Sequence, residues 1–438
     1  MRLNASKYNQ HWADKTLSEL GDFQRGKSRH RPRNDPALFS GGMHPLIQTG
    51  EIKDANLYIT THSSTYNDFG LAQSKLWPKD TLCITIAANI AETALLSYPM
   101  CFPDSVVGFN AYAENSSELF MHYVFTYIRR SIQNSATGSI QDNINIDFLT
   151  GLKFKIPPKS YQDKIASILS NIDAKIECNQ RINAQLEAMI KSLYDYWFVQ
   201  FNFPDINGKP YKSSGGKMHY DDTLKRNAPE SWAIKPLSDW IAKDKTGDWG
   251  KDNAEGNYSL IVDCIRGADI DGLNGTGNLA APTRFILEKN QGKILTPFDF
   301  VIEISGGSPT QSTGRLALIT SETINRFSRP VICSNFCKAI SLKDNSYFFN
   351  FAYLWKSAYE NKILFGWEGK TSGIKNLLFD AFINKHMVCV PPKNIAQQFF
   401  DFVSPMEDKK QKLLQEIDAL KSLRDWLLPL LMNGQVTI

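Results

Sequence analysis

The chain has 438 residues, 42% hydrophobic and 21% charged, the balance of a globular protein rather than a disordered one and enough chain for two or three domains. Its 49 Lys and Arg against 45 Asp and Glu leave a formal net charge of +4, which neither demands nor excludes nucleic acid, so the distribution of charge has to decide. No stretch reads as a signal peptide or is long and apolar enough to span a bilayer, and the seven cysteines form no CxxC pair, so the expectation is a protein of the reducing cytoplasm with free thiols, no metal and no membrane.

In chain order, Trp12 and Leu17-Ser18-Glu19-Leu20 come first. The following Gly21 to Ser28 has the spelling of a phosphate-binding loop. That loop works only between a buried strand and a helix whose N-terminal N–H groups face the phosphates. Leu17–Leu20 is not a buried strand run, and Pro32 and Pro36 oppose a helix. A nucleotide-binding enzyme is therefore the alternative reading here, not the favoured one. The same segment carries Arg25, Lys27, Arg29, Arg31 and Arg33, five cations in nine residues. A basic loop of this kind suits phosphate contact, because each neutralised phosphate releases a counterion, and arginine also clamps guanine edges. The competing reading is a solvated loop with no partner.

Gln48-Thr49-Gly50 is a polar loop, Thr81–Ile86 a candidate strand and 117–133 a candidate helix. A second polar loop holds Thr137, Ser139, Gln141 and Asn143. Small residues let backbone approach a phosphate, and Gln or Asn pairs with adenine, although ordinary turn chemistry explains the same composition. Lys155-Ile156-Pro157-Pro158 then stops a strand, and Ser160 with Asp163 predicts a capped helix start. From there Ile165, Leu169, Ile172 and Ile176, then Ile182, Leu186, Met189 and Leu193, recur at steps of three and four, with one shift near Asn179. Phe203-Pro204 through Gly215-Gly216 reads as an exposed connection.

The second half repeats the first. Trp232 and Leu237-Ser238-Asp239-Trp240 match Trp12 and Leu17–Leu20, and Pro297-Phe298-Asp299 before an apolar run matches Pro78-Lys79-Asp80. Val390-Pro391-Pro392-Lys393 matches Ile156–Lys159, and Lys421-Ser422-Leu423 matches Lys191-Ser192-Leu193, all in the same order. Candidate strands lie at 257–262, Phe300–Ile304 and Val331–Cys333, and a candidate helix at 346–362. Candidate contact residues are Arg266, Arg284, and Lys370, Thr371 and Ser372 with Lys375; Trp249 and Trp367 sit in glycine-rich loops as contacts or packing anchors. After an Asn394–Gln397 cap, Met406, Leu413, Ile417, Leu420, Leu427 and Leu431 form a second stripe, interrupted like the first by polar residues, Asn179, Asn183, Lys410 and Arg424, suited to fixing register. Each helix is about 35–40 residues, or roughly 55 Å, too long for the small core beside it, so the two are expected to pack on each other. The division predicted is 1–156, a long helix over 157–203, a linker over 204–230, a second module over 231–390 and a second long helix over 391–438.

Catalysis is not expected. An amino-methyltransferase needs Asn or Asp before its Pro-Pro, whereas Ile156 and Val390 accept no hydrogen bond through their side chains. Glu368-Gly369-Lys370 has a nuclease-like spacing, but its nearest upstream partner, Asp299, is far off and its repeat twin Asp80 has no such tail. A scaffold with a coiled-coil spacer and no DNA is the remaining alternative, and the duplicated module argues against it.

Taken together, Trp12 with Leu17–Leu20, Pro157-Pro158 with Gln162, Phe203-Pro204 with Gly208-Lys209-Pro210-Tyr211-Lys212, and Leu423-Arg424-Asp425 with Leu428-Pro429 and Leu431-Met432-Asn433-Gly434 resemble the specificity subunits of type I restriction–modification systems. The resemblance covers essentially the whole chain. It implies an α+β fold: two mixed target-recognition domains, each followed by a long helix, with the two helices packed as an antiparallel coiled-coil-like pair. It implies a non-catalytic reader of a split, asymmetric site in double-stranded DNA. Two methyltransferase subunits and the restriction/translocase subunits would dock on it, and S-adenosylmethionine, ATP and Mg would belong to those partners, with no cofactor in this chain.

Overall fold

The computed structural model describes residues 2–137, 146–306, 310–371 and 374–438. The chain divides into two compact units, one of Met1–Cys178 with Ile417–Ile438 and one of Asn179–Glu416.

In the first unit a five-stranded sheet runs in the order Gly21–Arg25, Val106–Ala111, Leu82–Thr85, Thr93–Leu96, Tyr58–Ile59. Its central strand is buried at every position, because both faces are covered. The helix Glu118–Thr137 supplies Phe120, Met121, Val124 and Phe125 to one face. Ile47, Ile52, Trp77, Met100 and Phe102 fill the other. A strand buried on both faces reads as an apolar run rather than an alternating one, as Leu82-Cys83-Ile84 does before the buried Thr85.

The second unit repeats this plan. Its sheet runs Ile241–Thr246, Cys337–Leu342, Asp299–Glu303, Leu316–Ile319. The helix Phe348–Glu360 covers one face with Phe348, Phe351 and Trp355, and Ile265, Ile270, Leu273 and Val331 cover the other. The register is repeated too. Ala13, after Trp12, pairs with Ile156, and Ala233, after Trp232, pairs with Val390, each the residue before Pro-Pro. Buried Ser116 donates to the Gln162 side chain at 2.9 Å, and Ser346 to that of Gln397 at 2.8 Å. Each thereby ties the start of a domain's helix to the start of the long helix that follows.

Those long helices are Lys159–Tyr194 and Lys393–Met432. The expected Ser160 cap is not used. The helix already begins at Lys159, and Asp163 takes the Lys159 ammonium at 2.6 Å instead of a backbone N–H. Likewise the helix at Lys393 takes Asn394 into its first turn, and Gln397 is bonded to Ser346 and Asp401.

Within each unit the helices pair in antiparallel fashion. In the first, the Tyr161 hydroxyl donates to the Val436 carbonyl and the Arg424 guanidinium to Asp173 at 2.8 Å. In the second, Asn179 donates to Glu416 at 2.9 Å, and Lys410 pairs with Glu187. Along the first helix Gln162, Ile165, Leu169, Asp173, Ile176, Asn179, Asn183, Ile190 and Tyr194 are buried and follow a three–four spacing once half-buried Glu187 is included; buried Ala166 lies beside this seam.

The expected shift near Asn179 therefore does not occur. Ile172, Leu186 and Leu193 are only half-buried, and Met189 is 59% exposed. Ile165, Leu169 and Ile176 are buried as expected, but from Asn179 onward the apolar residues pointed to the wrong stripe, because the inner positions Asn179, Asn183 and Glu187 are polar. Asp173 and Glu187 are made tenable by ion pairs and by Tyr123 and Tyr353 of the domain helices, which donate to them. On the second helix Leu413, Ile417 and Leu431 are buried, with Lys410 and Glu407 beside them, while Leu420 and Leu427 are half-buried.

The connection after the first helix is not simply exposed. Phe203 is buried, with its ring 4.7 Å from Tyr211 and 5.0 Å from Trp232.

Candidate nucleic-acid interface

The basic segment leaves the edge strand Gly21–Arg25, which pairs antiparallel with Val106–Ala111. The phosphate-loop spelling is thus spent on a strand: Gly21 lies in it opposite Ala111, and the next helical turn is the short one at Pro36–Leu38. No helix N-terminus follows Ser28 to face a phosphate, so the nucleotide-loop alternative has no structural basis. Gly26 passes so close to the Phe102 and Pro103 carbonyls that a Cβ would collide with them, and its N–H bonds Val106 O at 2.8 Å. Beyond it, the Gln73 side chain accepts from the backbone N–H groups of Arg29 and His30. Ser74 donates to Lys27 O at 2.9 Å.

This bracing leaves the Arg25, Lys27 and Arg29 side chains exposed, with no acid among the described residues in an ion pair with them. Lys75, which sequence reasoning missed, joins them. Its ammonium stands 3.7 Å over the Trp77 ring and donates to Gln24. Partial burial, and then the like charge of Lys27, push its pKa below the ordinary lysine value. Asp22 nearby opposes this only in part, and cations gathered on a braced surface favour a polyanion. The signal for Lys75 lay in its distance in sequence from the basic run, which no local pattern bridges.

Arg31 and Arg33 differ. Arg33 holds Asp104 through two bonds of 2.8 and 2.9 Å, and Arg31 lies 4.0 Å from the same carboxylate while donating to Ser28 O and His30 O. Arg33, Ser28, Asn34, Gln48, Ser64 and Tyr66 line one concavity of about 430 Å³, so part of the basic loop and the Gln48 turn come together. Gln48 caps the helix Thr49–Asp54, its N–H bonded to Glu51, and Thr49 opens that helix.

The second unit corrects several expectations. Arg284 is buried: it donates to Trp249 O at 2.8 Å and to Gly250 O, and pairs with Asp252. Arg266 grips Asp269 with bonds of 2.9 and 3.0 Å and donates to Ala280 O. Lys375, largely buried, pairs with Glu368 at 3.1 Å and donates to Gln311 O. Burial pushes the Glu368 carboxyl up, but bonds from Thr313 N and Lys375 outweigh it and hold the group below its ordinary range. These three cations hold their own domain together. Trp367 is a packing anchor, edge-on to Phe382 at 5.6 Å, whereas Trp249 is 39% exposed. Thr137 ends the domain helix of the first unit; Lys370 and Thr371 lie in the strand Glu368–Thr371. Ser139, Gln141, Asn143 and Ser372 lie outside the described residues.

Among the described residues no cluster of three or more His, Cys, Asp or Glu is arranged to hold a metal, and no helix is long and apolar enough to cross a membrane. All seven cysteines are free; burial pushes the thiols of Cys101 and Cys389 up to about 11 and about 12, the behaviour of inert packing groups.

Residues 9–188 match the family model described as the type I restriction modification DNA specificity domain. The MjaIX specificity subunit of a type I restriction enzyme from Methanocaldococcus jannaschii is 23% identical over 98% of this chain and 94% of its own length. The HindI specificity subunit from Haemophilus influenzae is 37% identical over 42% of this chain and 40% of its own. Among solved structures, the S subunit of a type I restriction–modification system from M. genitalium superposes with a TM-score of 0.59 at 16% identity, covering 98% of this chain and 99% of that one.

Proposed function

The chain belongs to the family of type I restriction–modification specificity subunits, and from that premise we propose that it reads a split, asymmetric DNA site, one half by each domain, without catalysing a reaction itself. The observation that carries the DNA contact is the braced surface of Arg25, Lys27, Arg29 and Lys75, whose cations form no ion pair among the described residues. Phosphate contact falls to these four. Gln48, Thr49, Thr137, Ser139, Gln141, Asn143, Lys370, Thr371 and Ser372 supply the polar edge contacts. Arg31 and Arg33 are held in reserve by Asp104, and Arg266, Arg284 and Lys375 serve the fold.

The long helices dock two methyltransferase subunits, which bring S-adenosylmethionine; the restriction subunits bring ATP and Mg. The setting is the cytoplasm, where the DNA is. The two domains share a sheet plan but differ in their loops, so they read different sequences. Selection from random-sequence DNA by the chain assembled with its methyltransferase partner tests this. Two specified blocks separated by arbitrary bases are expected. One contiguous block would overturn the two-reader model, and retention of no sequence would favour the scaffold alternative.

A further inference from the structure

We propose that Trp249 is the principal DNA-contacting side chain of the second domain, an aromatic counterpart to the cations of the first; this rests on the DNA-reading function above. The two edge strands, Gly21–Arg25 and Ile241–Thr246, hold the same place in their sheets, each antiparallel to the strand beside the central one. Both are followed at once by a glycine whose Cβ would strike main chain, Gly26 against Phe102 and Pro103, and Gly247 against Ser334. The loops beyond those glycines are therefore structural counterparts, although their sequences share nothing. One presents Lys27 and Arg29. The other presents Asp248-Trp249-Gly250-Lys251-Asp252.

The second loop is rigid. Asp248 N bonds Cys333 O at 2.9 Å, and its carboxylate accepts from Gly250 N at 3.0 Å and from Asn290. Lys251 and Phe285 exchange both backbone hydrogen bonds at 2.9 Å. Buried Arg284 bonds the carbonyls of Trp249 and Gly250 and lies 4.3 Å from the indole centroid. One part of the indole is thus fixed on a guanidinium while 39% of the residue remains exposed. A packing anchor would be buried; a held, exposed tryptophan offers a large contact at little cost in side-chain entropy. The acids nearby do not repel phosphate, since Asp252 pairs with Arg284, Glu255 with Lys251 at 2.5 Å, and Asp248 faces Lys293 at 3.9 Å. An indole so placed stacks on a base or packs on a thymine methyl, and it favours steps that unstack easily.

The test uses the full chain assembled with its methyltransferase partner, selecting from random-sequence DNA and then titrating the selected site. Trp249→Ala is expected to leave the first block intact, blur the second and weaken binding roughly 5- to 150-fold, the worth of one base–aromatic stack. Trp249→Phe, which keeps a ring over Arg284, is expected to retain the second block. Trp249→Ala that returns both blocks with affinity within twofold of the unsubstituted complex overturns the inference alone. So does loss of both blocks by Trp249→Ala and Trp249→Phe alike when their melting matches that of the unsubstituted chain. If the unsubstituted complex itself selects no two-block site, the DNA-reading function fails and this inference falls with it.

Discussion

Asp104 holds Arg33 by two hydrogen bonds and lies 4.0 Å from Arg31. All three side chains are more than a third exposed, so the pairing is weak in itself. Its importance lies in the charge it withholds. Asp104→Asn should free both arginines for phosphate without disturbing the loop, whose main chain is held by Gln73, Ser74 and Val106. Each cation that gains a phosphate steepens the dependence of log K on log salt by about 0.9. Between 50 and 200 mM salt that is roughly a 3.5-fold change in the affinity ratio per contact, or about 12-fold if both arginines engage. Lys27→Ala with Lys75→Ala should do the reverse, flattening the slope by about 1.8. Fluorescence-anisotropy titrations of the assembled complex on its selected site, over a salt series, give the slopes directly. Equal slopes for the unsubstituted complex, Asp104→Asn and the double lysine variant would show that this surface does not meet DNA.

Two further outcomes concern the helix pair. Arg424→Leu alone leaves Asp173, 7% exposed at its side chain, with Tyr123 as its one remaining side-chain donor among the described residues, and should destabilise the chain by about 3 kcal/mol, while adding Asp173→Leu should recover most of that; denaturant unfolding of both single variants and the double gives the coupling, and simple additivity would contradict the pairing. Glu187 is pushed up by burial but brought down to about 2 by Lys356 and Lys410. A carboxyl lowered on folding stabilises fully above its unfolded pKa of about 4.3 and loses that contribution as pH falls toward its folded value. Melting between pH 5 and 2 should therefore be steeper for the unsubstituted chain than for Glu187→Gln, and parallel curves would refute the assignment.

The duplicated framework was legible because its markers are short and local: Trp12 and Trp232 are both buried, and the residues before each Pro-Pro keep the same pairing register. A further signal was there to find, since Ser116 and Tyr123 stand seven apart, as do Ser346 and Tyr353, and both pairs tie their domain to the long helices. The seam of the first helix was misread beyond Asn179 because hydrophobic periodicity is blind to a carboxylate or an amide placed at an inner position. The same limit governed the cations. Arg25 and Arg33 look alike in the sequence, and what separates them is Asp104, 71 residues beyond Arg33. Arg284 is disqualified as a surface contact by Trp249 and Gly250, about as far from it in sequence as one small supersecondary unit.

The first unit is built from two separate lengths of chain, and that affects the order in which the protein can be made. Leu428, Leu431 and Met432 lie in the same core as Trp12, Phe154 and Ile165, and Asn4 and Ser6 donate to the carbonyls of Met432 and Asn433. During synthesis the early strands emerge long before the residues that seal them. The second unit, one uninterrupted length from Asn179 to Glu416, has all its parts in hand sooner. The domain translated first is therefore the one finished last, and its apolar floor stays open to solvent and to chaperones until residues 417–438 clear the ribosome.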